Sequence, residues 1–67
     1  MKPQEFRTEI ADIGKELTES LKAADAPDSQ AKSYSALVQT LVGNMASDAG
    51  MSPRDVWESY GLRGIFS

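Results

Sequence analysis

The chain has 67 residues, carries a formal net charge of −3 and contains neither Cys nor His. A chain this short makes one small domain, and without those residues it has no disulfide and none of the usual zinc ligands. Helix packing and self-association are left as its sources of stability.

Residues 3–23 are predicted to form an amphipathic helix. Phe6, Ile10, Ile13, Leu17 and Leu21 recur at three- and four-residue steps, so at about 100° per residue they share one stripe. Pro3 suits the first turn, and Glu5 and Glu9 sit where the helix dipole favours acids. The segment Ala24-Asp25-Ala26-Pro27-Asp28 follows as a turn, with Asp28 or Ser29 placed to cap the next helix.

Residues 29–49 are predicted to form a second helix. Its apolar face is assigned to Tyr34, Leu37, Val38, Leu41, Val42 and Met45, flanked by Ala31 and Ala49. Gly43-Asn44 is its weak point, and Gly50 suits its C-terminal cap. A third helix over 53–60 is announced by Ser52, Pro53 and Asp55, and it carries Val56, Trp57 and Tyr60. The tail 62–67 contributes Leu62, Ile65 and Phe66 and is too apolar to be freely solvated.

The expected fold is therefore all-α: an antiparallel helical hairpin with a short third helix. One short helix is a small lid for two one-sided stripes, so a dimeric helical bundle is expected to complete the core. No apolar run approaches the ~20 residues needed to span a bilayer. The charged N-terminus does not look like a signal peptide, and a cytoplasmic location is expected.

Catalysis is disfavoured. The commonest general base and the strongest thiol nucleophile are missing, and no Gly-rich phosphate loop occurs. No catalytic residue, cofactor or metal is expected. Glu5, Glu9, Asp12, Glu16 and Glu19 fall within about 80° on the first helix, an arrangement that like-charge repulsion opposes. Glu9, Asp12 and Glu16 are thus candidates for contact with a basic partner, although a solvated face is the plainer account. Trp57, Tyr60, Ile65 and Phe66 form a second candidate surface, because Trp and Tyr anchor many interfaces.

Residues 45–61, Met45-Ala46-Ser47-Asp48-Ala49-Gly50-Met51-Ser52-Pro53-Arg54-Asp55-Val56-Trp57-Glu58-Ser59-Tyr60-Gly61, resemble a helix-turn-helix motif of the TetR and AraC classes. The resemblance implies a turn at Gly50, a buried Met51, a cap at Ser52 and a recognition helix after it. It makes DNA-binding transcriptional regulation the alternative function, with Arg54 the candidate contact. Asp55 and Glu58 would repel phosphates there, and no basic patch occurs elsewhere. The leading expectation is a non-enzymatic regulator that binds protein, of inhibitor, adaptor or anti-activator type. A self-assembling structural subunit is the third.

Overall fold

The computed structural model describes residues 2–66, leaving out the side chain of Phe66. The fold is all-α, with α1 over Pro3–Ala23, α2 over Asp28–Ala49, α3 over Pro53–Ser59 and α4 over Leu62–Phe66. The first two helices pair as an antiparallel hairpin: Thr18 meets Ser35, while Ile10 meets Gln39 and Gly43. In turn α3 packs on both of them, and α4 packs on α3.

The helix ends follow from local chemistry. At the end of α1, Asp25 takes the left-handed conformation (φ 65°), and the Ala26 N–H donates back to the Leu21 carbonyl at 3.0 Å. Gly50 does the same for α2 (φ 66°), with the Met51 N–H reaching the Ala46 carbonyl at 3.0 Å. Neither Asp28 nor Ser29 caps α2. Its N-cap is Pro27, and Asp28 lies inside the first turn. The Asp28 carboxylate instead bridges Lys22 at 2.6 Å and Lys32 at 3.1 Å, tying the hairpin turn together. Hydrogen bonds from Lys22 and then Lys32 hold its carboxyl below the ordinary 3.8. Gly43-Asn44 neither breaks nor ends α2, because packing of Gly43 under Ile10 and Phe6 compensates its low propensity.

The core contains Ile13 and Leu17 from α1, Val38, Val42 and Ala46 from α2, Val56 and Trp57 from α3, and Leu62 from α4. The expected face of α2 needs correction. Its buried row is Ala31, Ser35, Val38, Val42 and Ala46, and Leu41 is exposed at 44 %. Tyr34 and Leu37 are exposed with it. The reason is proximity: α1 approaches α2 through Gly14 and Thr18, and only small or β-branched side chains fit beneath it. The Thr18 hydroxyl donates to the Gly14 carbonyl at 2.8 Å and lies 2.7 Å from the Ser35 hydroxyl, so the half-buried pair is satisfied.

A second consequence of that approach is testable. A Cβ on Gly14 would overlap the amide of Gln39, whose Nε2 donates to the Ile10 carbonyl at 2.9 Å. Gly14→Ala gains alanine's helix preference but must displace that amide, with an expected net loss of about 1 kcal/mol. In a Gln39→Ala background the same change should stabilise, by up to about 1 kcal/mol. Urea melts of the four chains measure this, and equal effects in both backgrounds would show that Gln39 does not set the spacing.

The reason for expecting a dimeric bundle also changes. The lid is larger than one helix, because α3 and α4 together bring Val56, Trp57 and Leu62 over the hairpin. A single chain therefore closes its own core.

Candidate functional site

The acidic stripe of α1 is where α3 and α4 attach. Taking Leu17 as the centre of the buried stripe, Glu9 and Glu16 lie about 80° and 100° around the helix, and Asp12 about 140°. Glu9 and Glu16 are thus the acids nearest the core edge, within reach of whatever packs beside it. The Glu9 carboxylate accepts the backbone N–H of Arg54 at 2.9 Å. The Arg54 guanidinium meets Asp12 at 3.3 Å. Arg63 grips Glu16 through two bonds, at 2.9 and 3.3 Å, and reaches Glu58 at 3.7 Å.

These contacts complete the start of α3. Its first residue, Pro53, has no N–H to satisfy. Glu9 takes the second N–H, the Ser52 hydroxyl takes the third from Asp55 at 3.1 Å, and the Ser52 carbonyl takes the fourth from Val56. After Pro53, the N–H groups of Arg54, Asp55 and Val56 each have an acceptor, one of them supplied by another helix. Glu9, Asp12 and Glu16 accordingly hold α3 and α4 to α1 within the same chain. The outer members of the stripe, Glu5 and Glu19, are exposed and take no part in this attachment.

The second candidate surface divides. Trp57 is 1 % exposed and belongs to the core, whereas Tyr60 and Ile65 are exposed at 49 and 68 %. The Tyr60 hydroxyl approaches the Met51 sulfur at 3.8 Å. Phe66, the remaining member, has its side chain outside the described residues.

For the helix-turn-helix resemblance, Gly50 turns the chain, Met51 packs against the core and Ser52 caps α3. But α2 runs unbroken for 22 residues, and α3 has only 7, where a reading helix must reach along a groove. Arg54 is engaged by Asp12, and the neighbouring outward groups are Asp55, Glu58 and Ser59.

The surface that sequence reasoning missed is the outward side of α2. Residues 33–47 contain no ionisable acid, lysine or arginine, and Tyr34, Leu37 and Leu41 stand exposed among them. The missed signal was a second periodic row. At about 100° per residue the buried row 31, 35, 38, 42, 46 spans about 80°, and a row through 34, 37 and 41 is centred about 120° away. On the other side of α2 an open groove runs between the hairpin helices, lined by Phe6, Ile10, Ala11, Ala36, Gln39 and Gly43.

Among the described residues no cluster of three acids could hold a metal ion, and no helix is long and apolar enough to cross a membrane. No family model, curated protein or solved structure matches the chain.

Proposed function

We propose that this chain is a non-enzymatic regulator that acts by binding protein, and that the outward side of α2 is its principal contact surface. One observation carries the reading: Tyr34, Leu37 and Leu41 are exposed within an uncharged stretch of fifteen residues, 33–47, of a chain that is otherwise densely charged. Depletion of charge around exposed aromatic and aliphatic side chains marks interface centres rather than ordinary solvated helix. Tyr60 and Ile65 supply a second, smaller apolar patch.

A protein fits this surface better than nucleic acid does. Phosphate recognition requires several unpaired cations, and Arg54 is paired with Asp12 while Asp55 stands beside it. The acidic stripe is a poorer docking site than its spacing suggested, since its middle three members already have partners.

The test is affinity capture from the native host with the wild-type chain and with Leu37→Lys/Leu41→Lys as baits, followed by calorimetric titration of the retained protein. The variant should keep its helical circular dichroism and lose the retained protein. Capture that survives this variant unchanged, or a mobility shift of DNA that Arg54→Ala abolishes, would overturn the reading.

A further inference from the structure

The outward row of α2 has more order than three exposed side chains require. Extended in both directions it reads Gln30, Tyr34, Leu37, Leu41, Asn44 and Asp48, with steps of four, three, four, three and four. That alternation is the a/d spacing of a coiled-coil seam, and over about 27 Å it keeps one face toward a partner helix. It is also palindromic. Turned end for end, Leu37 falls opposite Leu41, Tyr34 opposite Asn44, and Gln30 opposite Asp48.

We propose that α2 pairs with α2 of a second copy, antiparallel, about a two-fold axis that passes between Leu37 and Leu41. The self-complementary spacing is what an isologous interface needs, since each contact then occurs twice. Charge points the same way. Each copy carries −3, and two such chains repel each other least when the surfaces that meet carry no charge. Residues 33–47 form the longest uncharged stretch of the chain, and α1 with its acids flanks the opposite side of α2 through Ser35, Gln39 and Gly43. The lone charge on the row, Asp48, would sit opposite Gln30 in the partner's first turn, where the helix dipole favours an acid. Parallel pairing would set Asp48 against Asp48 instead. Tyr34 and Asn44 would face each other with a hydroxyl and an amide, which can hydrogen-bond at the seam.

This pairing rests on the reading of α2 as a contact surface and names its occupant. Sedimentation equilibrium of the purified chain from about 5 to about 200 micromolar should show the mass rising from 7.3 kDa toward twice that value, in the range a seam of this size supports. Leu37→Lys/Leu41→Lys should weaken association by about tenfold or more, as loss of central apolar anchors does. Because the chain has no Cys, orientation can be read by cross-linking. A mixture of Leu37→Cys and Leu41→Cys chains should cross-link to each other through a short bifunctional maleimide in preference to themselves. A constant mass of one chain, or association that the two lysines leave unchanged, overturns the pairing. Symmetric cross-links in preference to mixed ones overturn the antiparallel arrangement. A monomer whose capture of another protein still depends on Leu37 and Leu41 removes self-pairing alone. A monomer that captures nothing removes the contact-surface reading as well.

Discussion

Trp57→Ala is expected to leave most molecules unfolded at 25 °C. The side chain is fully buried between the hairpin and α4, and truncating a buried Trp costs about 3–5 kcal/mol. A domain this small has only a few kcal/mol in hand. Leu17→Ala, at a site with no exposed surface, should cost about 2–5 kcal/mol by the same loss of packing. Leu41→Ala is the contrast. Nearly half exposed in the single chain, it should cost about 1 kcal/mol or less at concentrations where the chain is monomeric. Thermal melts followed by circular dichroism measure all three. A Trp57→Ala chain melting within a few degrees of the parent would mean that α3 is not part of the core.

Reversing Glu9, Asp12 and Glu16 together to Lys should loosen the attachment of α3 and α4 and, because Trp57 closes the core of the hairpin, lower the stability of the whole chain. The change removes the Glu9 cap of α3 and two ion-pair contacts, and sets new lysines against Arg54 and Arg63. Caps contribute about 1 kcal/mol and exposed ion pairs less, so with the added repulsion the loss should be about 2–4 kcal/mol. The readout is Trp57: its emission should shift to the red and its near-ultraviolet dichroism collapse. Asp12→Asn alone, with an exposed pair, should cost about 0.5 kcal/mol. Unchanged emission in the triple variant would show that apolar contacts alone hold α3 in place. Helical spacing by itself suggests that the reversal would spare the fold, because it counts only the core stripe of α1 and misses what packs beside it.

That difference shows where sequence is informative here. The span and buried stripe of α1 are legible because one periodic pattern dominates it. The start of α3 is legible because Ser52 and Pro53 act within a few residues. On α2 two rows overlap, and ranking residues by apolarity mixes them: Val38 and Val42 of the expected face are buried, while Tyr34, Leu37 and Leu41 are exposed. Leu37 and Leu41 are more hydrophobic than Ala31 and Ser35, yet the smaller pair is buried because α1 lies too close for a leucine. The acidic stripe was visible as a pattern, but its partners lie 42 to 47 positions away, beyond the reach of local spacing.

The cap that Glu9 provides for α3 has a consequence for the order of folding. Seven residues are too few for an isolated helix to persist in water, so α3 cannot form ahead of its neighbours. The hairpin, joined by a four-residue turn, closes a short loop, whereas the Glu9–Arg54 contact spans 45 positions. Nucleation then belongs to α1 and α2, and α3 condenses after the barrier. Substitutions at Glu9, Arg54 or Ser52 will appear in the unfolding limb of a chevron, while the folding limb answers to Leu17, Val38 and Val42. The Glu9 carboxylate, lent from one helix to another, thus adds to residence time in the native state more than to the speed of reaching it.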